Sequence, residues 1–151
     1  MAVPEAQIAV EREVYVAPPP EVVFEYFIDP DLLTRWQAVE ADVDPRPGGH
    51  MRLNITGRDV ASGEFVAVEP PGRIAFTWGW EGNEGVPPGS SHVEITLEPD
   101  GDGTRVLVRH TGLPDESAAA GHGKGWSHYL TRVAVAASGG DPGPDPWAAD
   151  D

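Results

Sequence analysis

Apolar and polar residues alternate along much of the chain, and this pattern predicts a β-rich domain. In the segment 8–16, apolar side chains recur with period two, which indicates a half-buried first strand that Arg12 interrupts. The segment 73–80 carries the clearest alternation, with an apolar and aromatic face made of Ile74, Phe76, Trp78 and Trp80. Between turns rich in glycine and proline, the other strands are predicted at 50–56, 64–68, 90–97 and 104–111.

Along the chain, helices are predicted before and after the central run of strands. Pro18-Pro19-Pro20-Glu21 favours a helix start, and that helix should end at Asp29-Pro30, where a second short helix can begin. Near the C-terminus, apolar residues at helical spacing predict a long helix over 116–137. Three glycines weaken its first half, so we expect a loose or kinked entry before Trp126.

The order of these elements predicts an α+β fold. Grouped strands with helices segregated to one side imply a curved antiparallel sheet wrapped around the long C-terminal helix. Residues 1–138 are predicted to form one domain, which suits the length of 151 residues. The acidic tail 139–151 is rich in glycine and proline and is predicted to be disordered, with docking of Trp147 as the alternative.

Composition removes several classes of function. The chain has no cysteine, so disulfides, thiolate metal sites and cysteine nucleophiles are excluded. A formal charge of -15 argues against nucleic acid or an anionic lipid surface as partner. No apolar run approaches the roughly 20 residues of a membrane span, which predicts no membrane insertion and a cytoplasmic location. No nucleotide-binding glycine motif supports a cofactor.

Landmark residues in a fixed order carry a family resemblance. They are Ala17-Pro18, Glu21 to Phe24, Asp29-Pro30, Leu33, Trp36, Pro47-Gly48-Gly49, Gly63, Glu69 to Ile74, Phe76-Thr77-Trp78, Ser91, Val93, Ile95 to Glu98, Gly103 to Val106, Val108, His110 and Gly125-Trp126. This set resembles the START-like, or SRPBCC, superfamily of helix-grip domains. Within that superfamily the chain is similar to the bacterial branch named after the activator of the heat-shock-protein ATPase.

The resemblance implies a deep apolar cavity between the sheet and the long helix. Members of the superfamily use this cavity for hydrophobic molecules, and some catalyse cyclisation, dehydration or hydrolysis there. The predicted contacts with a ligand are Trp36, Phe76, Trp78, Trp80, Val108, His110, Trp126, Tyr129 and Leu130. Aromatic side chains in this set suit a ring-containing ligand, and plain core packing is the alternative for each of them.

His110 is the ionisable residue with the strongest candidacy. Period two places its ring on the same inward face as Val106 and Val108. A neutral imidazole there could orient a ligand or act as a general acid or base, and a buried, hydrogen-bonded core histidine is the alternative.

The other polar candidates are weaker. His50, Arg52 and Asn54 share one strand face, which is solvated if the opposite face of Met51, Leu53 and Ile55 lies in the core. His92 and Glu94 are predicted at the surface. His122 and His128 are six residues apart, a spacing that does not suit metal ligation on a helix, so no metal site is predicted.

Three functions remain open from the sequence. The first is binding of a hydrophobic or aromatic small molecule in the central cavity. The second is a cyclase, dehydratase or hydrolase acting on a polyketide-like substrate, with His110 as the catalytic residue. The third is a protein-interaction module that modulates a chaperone or another partner through its acidic surface. A homodimer is compatible with each, because an exposed sheet edge can pair with its copy.

Overall fold

The fold was obtained as a computed structural model, which describes residues 9–148. Seven strands form one antiparallel sheet: β1 (Val10–Val16), β2 (Glu40–Val43), β3 (His50–Asn54), β4 (Val60–Glu69), β5 (Arg73–Trp78), β6 (Ser91–Asp100) and β7 (Gly103–Thr111). Three helices accompany it: α1 (Pro20–Glu25), α2 (Pro30–Leu33) and α3 (Glu116–Ala137). The predicted α+β helix-grip fold, a curved antiparallel sheet with a long C-terminal helix, is therefore confirmed. Ile8, predicted in the first strand, lies outside the described residues.

The strand order is β1-β7-β6-β5-β4-β3-β2, and every neighbouring pair is antiparallel. β1 pairs with β7 because the two short helices return the chain to the far edge of the sheet before β2 begins. The strand β2 did not emerge from the hydrophobic pattern, since none of its four residues is fully buried. It forms one edge of the sheet and β1 forms the other.

Local sequence signals explain the two short helices. Pro20 occupies the first turn of α1, where a missing N–H costs nothing. α2 begins after Asp29, whose carboxylate accepts a hydrogen bond of 2.9 Å from the backbone N–H of Asp31. These helices bring Trp36 into the core, where it is 1% exposed and packs against Phe27.

The long helix α3 is regular over 22 residues, so the expected loose entry before Trp126 was wrong. Asp115 caps it by accepting a hydrogen bond of 2.8 Å from the N–H of Ala118. Gly123 packs closely against β1: a Cβ there would displace the guanidinium of Arg12, which is the far end of a flexible side chain. Arg12 also donates to Ser127 Oγ over 3.0 Å, which joins the start of the sheet to α3.

Alternate residues of the strands build the core as the sequence pattern predicted. Met51, Leu53 and Ile55 are buried, so His50, Arg52 and Asn54 lie on the outer face of β3. On β6 the buried set is Val93, Ile95 and Leu97, and on β7 it is Val106, Val108 and His110. Among residues 9–148, no helix is long and apolar enough to cross a membrane.

Candidate functional site

A cavity of about 880 Å³ lies between the first half of α3 and the ends of strands β3, β4 and β5. The turn 55–60, the loop 80–86 after β5 and the tail residue Trp147 complete its wall. The side chains that face it are mostly apolar or aromatic, and they include Ile55, Val60, Trp78, Trp80, Val86, Trp126 and Tyr129. The molecule therefore has room for a small molecule beside its long helix, where ligand sites with apolar walls commonly occur.

The predicted contact residues divide into two groups. Four of them, Trp78, Trp80, Trp126 and Tyr129, line the cavity. The others do not line it: Phe76, Val108, His110 and Leu130 are buried core residues, and Trp36 faces a second cavity near the tail. Period two and helical spacing identified the inward side correctly, but most of that side is filled by close packing.

His110 lies at the centre of a closed hydrogen-bonded chain. The indole N–H of Trp126 donates to His110 Nδ1 over 3.1 Å. An indole nitrogen can only donate, so Nδ1 carries no proton and Nε2 carries it. His110 Nε2 then donates to Ser91 Oγ over 2.8 Å, and the Ser91 hydroxyl donates to the backbone carbonyl of Trp78 over 2.7 Å. Both ring nitrogens are therefore occupied, and the tautomer is fixed.

This environment keeps His110 neutral. Its side chain is 0% exposed, and burial, together with the neighbouring His122 and His92, lowers its pKa to about 3. A proton added to Nδ1 would also break the bond from Trp126. An imidazole with both nitrogens engaged and no face on the cavity is not placed to exchange a proton with a molecule there.

His122 is the histidine that faces the cavity. Its Nδ1 donates to the carbonyl of Ala118 over 2.7 Å, and its Nε2 accepts from the indole of Trp80 over 2.9 Å. Burial lowers its pKa, so it too is neutral. The sequence did not predict His122 at the cavity, because its partner Trp80 is 42 positions away in the chain and lies in another part of the cavity wall. The pair fixes the orientation of two aromatic walls.

Two buried side chains in the wall have polar groups without a hydrogen-bond partner among residues 9–148. Trp78 is 3% exposed, and its Nε1 is buried without a hydrogen-bond acceptor among residues 9–148. Gln37 is 5% exposed and lines the cavity, and no hydrogen bond joins its amide to a described residue. A buried N–H without an acceptor costs about 1–3 kcal/mol, so a native structure normally supplies one.

The tail, defined here as residues 139–148, lies against the second half of α3. Arg132 donates to the carbonyls of Pro142 and Gly143 over 3.3 and 2.9 Å, while Tyr129 Oη donates to Asp145 over 2.6 Å. The ring of Trp147 stacks on His128 with centroids 3.9 Å apart. Composition favoured disorder for this segment, whereas these contacts correspond to the docked alternative. A spacing pattern could not reveal them, because they depend on side chains of α3 and of the turn 55–60 meeting backbone carbonyls, a carboxylate and a ring of the tail.

Docking of the tail shapes two cavities. Trp147 contributes to the wall of the first cavity, and its carbonyl accepts a hydrogen bond of 3.2 Å from Arg58. A second cavity of about 930 Å³ lies between the tail and the segment 34–39. Asp145 connects these parts: burial opposes its ionisation, but hydrogen bonds from Tyr129, the Trp147 N–H and His128 together lower its pKa.

The charged side chains that line the first cavity are mostly acidic. Asp59, Glu81 and Glu84 belong to its lining, against one arginine, Arg58. Glu81 is held by Arg52 on the outer face of β3, with a distance of 2.8 Å between Nε and Oε2. Within residues 9–148, no group of three or more histidine or carboxylate side chains is arranged to hold a metal ion.

A curved antiparallel sheet closed by one long C-terminal helix, with a cavity between them, defines the helix-grip class of the START-like superfamily. The family model described as Activator of Hsp90 ATPase homolog 1-like protein matches residues 17–137. The chain belongs to this family. No curated protein matches it.

Solved structures show the same fold. The AHSA1-like protein from Rhizobium etli is 46% identical, with a TM-score of 0.76 and coverage of 100% of this chain and 94% of that one. DynU16, a putative protein in the dynemicin biosynthetic locus, is 26% identical with a TM-score of 0.80, over 92% of this chain and 50% of that one. The Aha1 dimer from Colwellia psychrerythraea shares the fold at 14% identity, with a TM-score of 0.76 and coverage of 87% and 97%.

Proposed function

We propose that this protein binds an apolar, ring-containing small molecule that offers a hydrogen-bond acceptor to Trp78. The observation that carries the proposal is the 880 Å³ cavity, whose wall includes Trp78. The indole N–H of Trp78 has no acceptor among the described residues and almost no accessible surface, so a ligand oxygen would reach it after a small rotation of the ring. An oxygen of a bound carbonyl, ether or phenol would satisfy it. The aromatic wall would supply the rest of the binding free energy, at about 25 cal/mol per Å² of apolar area before ordering costs.

The orienting role that the sequence suggested for His110 passes in this proposal to Trp78 and Gln37. His110 fixes the ring of Trp126 from behind, through the bond to its indole N–H, and so acts on the cavity wall instead of on the ligand. Binding needs no proton transfer in this scheme. Carriage or sequestration of the ligand is therefore favoured over turnover.

A comparison of two tryptophan variants tests the proposal. Trp78→Phe removes the unpaired N–H from the cavity, while Trp36→Phe removes an N–H that donates to the carbonyl of Tyr26 outside this cavity. A library of aromatic ketones and their deoxygenated analogues is screened by thermal shift and then by calorimetry. We expect the native protein and Trp36→Phe to prefer ketones by about tenfold, the value of one hydrogen bond, and Trp78→Phe to lose that preference.

Two results would contradict the proposal. One is the absence of any thermal shift or calorimetric signal across the whole library. The other is an unchanged ketone preference in Trp78→Phe, which would place the acceptor elsewhere. A homodimer remains a separate prediction, and light scattering on the full chain checks it.

A further inference from the structure

Gln37 lies where the two cavities of the protein meet. The first cavity, of about 880 Å³, and the second, of about 930 Å³, have two lining residues in common, Gln37 and Ile55. The side chain of Ile55 is apolar and offers a bound molecule contact area alone. The side-chain amide of Gln37 is therefore the polar group that a molecule at this junction meets from either cavity.

The fold holds the backbone around Gln37 but makes no use of its side-chain amide. The backbone N–H of Gln37 donates to the carbonyl of Leu33 over 3.0 Å, and the carbonyl of Trp36 accepts from Arg132 Nε over 2.9 Å. Trp36 is anchored in turn, because its indole donates to the carbonyl of Tyr26 over 2.8 Å. No hydrogen bond joins the Gln37 amide to any of residues 9–148. The side chain is thus presented from a fixed support with its donors and acceptor unused.

The Gln37 amide is enclosed by the protein and open to the cavities. The residue is 5% exposed, so bulk water has little access to it. Among the buried side chains that the structure describes, Trp78 Nε1 is the one polar atom that is both fully enclosed and unpartnered, so Gln37 Oε1 and Nε2 keep accessible surface. An enclosed polar group without a partner opposes folding, and an apolar side chain of similar size avoids this cost. Gln37 is therefore best explained by a partner that the fold does not contain.

The chemistry of a glutamine side chain defines the complementary group on a ligand. Its carbonyl oxygen accepts and its NH₂ group donates, side by side on one edge. A ligand group that satisfies both at once has a donor next to an acceptor, as a lactam or a primary carboxamide has. A ketone or an ether satisfies the donor alone, and a hydroxyl group engages the two through a single atom. Two parallel hydrogen bonds are the arrangement by which glutamine discriminates between otherwise similar groups.

The charges around the two cavities disfavour a carboxylate at this junction. Three carboxylates and one arginine line the first cavity, and two aspartates and two arginines line the second. The whole chain has a formal charge of -15, and such a field opposes an anionic ligand. A carboxylate would also offer acceptors alone and leave Gln37 Oε1 without a donor. An uncharged amide meets both conditions.

We infer that Gln37 is a specificity-determining residue, which selects ligands that present the donor and acceptor of an uncharged lactam or primary carboxamide at the junction of the two cavities. The inference rests on the proposed function and adds a recognised chemical group to it. The carbonyl oxygen of the ligand accepts from Gln37 Nε2, and the ligand N–H donates to Gln37 Oε1. The ring that carries this group lies against the aromatic wall of the first cavity.

Three uncharged bicyclic probes of similar shape separate the donor from the acceptor. 2-Quinolone has a lactam N–H beside its carbonyl, coumarin has a ring oxygen in place of that N–H, and in N-methyl-2-quinolone the N–H is replaced by N–CH₃. By calorimetry on the full chain, we expect 2-quinolone to bind about tenfold more tightly than either of the others, the value of one hydrogen bond. Equal affinity of 2-quinolone and coumarin would overturn the inference, while the ketone preference measured in the library would still support the proposed function.

Gln37→Met tests the residue itself, because methionine has a similar length and no amide. We expect the ratio of the 2-quinolone and coumarin affinities to fall from about ten to about one, and the melting temperature to stay unchanged or rise, because the fold loses no hydrogen bond. Thr104→Val is the matched control, since Thr104 lines neither cavity and its buried hydroxyl donates to the carbonyl of Pro18 over 2.8 Å. Its melting temperature should fall, and its affinity ratio should stay at about ten.

The outcomes are distinguishable. A preference for 2-quinolone that persists in Gln37→Met would overturn the inference while leaving the proposed function standing. Loss of the preference together with a lower melting temperature would also overturn it, because the amide would then serve the fold. Failure of all three probes and of every library member to bind the native protein would remove the proposed function itself.

Discussion

His110 and His122 lie close together, with ring centroids 4.9 Å apart, yet they belong to different kinds of environment. His110 is in a sealed layer, where both of its ring nitrogens are hydrogen-bonded, one to Trp126 and one to Ser91, and Ser91 donates in turn to the carbonyl of Trp78. His122 lies one layer nearer to solvent, against the cavity. Both are neutral, but they carry the proton on opposite nitrogens. The comparison teaches that facing inward and facing a ligand are separate properties in this fold.

Removal of each imidazole should show the largest contrast between the two layers. In His110→Ala, the Trp126 N–H loses its buried acceptor and Ser91 Oγ loses its donor, and a cavity opens. We expect the free energy of unfolding to fall by about 3 kcal/mol. His122→Ala should cost less than about 1 kcal/mol, because water in the open cavity can replace the imidazole. Urea denaturation of both variants measures the difference, and similar losses would contradict the division into layers.

The dependence of stability on pH should carry the signature of the sealed layer. The pKa of His110 is about 3 in the folded protein and near 6.5 in the unfolded chain, so the unfolded state binds more protons between these values. Above pH 6.5, His110 is neutral in both states and does not change the free energy of unfolding with pH. Below pH 6.5, the free energy of unfolding falls by about 1.4 kcal/mol for each pH unit, down to the folded pKa of about 3.

Denaturation at several pH values between 6.5 and 5 measures this slope. His122, whose pKa is also lowered, adds in the same direction, so the measurement is repeated in His122→Asn. The slope that remains in this variant belongs to His110 and the surrounding surface. A flat profile there would mean that His110 accepts a proton in the folded state, contrary to its closed hydrogen-bond chain.

The smallest effect on stability is expected where the tail packs against α3, beside the cavity. Asp145→Asn weakens the bonds to Tyr129 and His128 that hold residues 139–148 against α3. We expect a loss of global stability of less than about 1 kcal/mol, because the side-chain amide oxygen of this variant can still accept a hydrogen bond from Tyr129. Amide hydrogen exchange should nevertheless accelerate in the tail. Asp141→Asn is a control in the same segment, and fast exchange of the tail already in the native protein would support the disorder that composition predicts.

Much of the fold was readable from the sequence because short-range signals specified it. Alternation identified the buried faces of β3, β6 and β7, and prolines with a capping aspartate placed α1 and α2. The glycines of α3 were misread as a weak helix start, because propensity alone does not show that Arg12 approaches Gly123 or that an empty space faces Gly125. Propensity is a weak prior where tertiary packing decides.

The candidate site was readable only in part. Aromatic residues at the end of β5 and on α3 were correctly expected on the inner side. Whether an inward side chain meets packed atoms or open space depends on how far α3 lies from each strand, and this distance has no local sequence signal. For the same reason Gln37 and His122 were not expected at the cavity, and docking of Trp147 was only the alternative to disorder.

The tail adds a consequence for how this protein can change over evolutionary time. The family match ends at residue 137, yet Trp147 forms part of the cavity wall. A substitution in the tail can therefore alter the shape of the cavity while the sheet, the long helix and the sealed histidine layer stay intact. One part of the cavity wall thus lies outside the stretch that specifies the fold, and its sequence can vary with little risk to the scaffold.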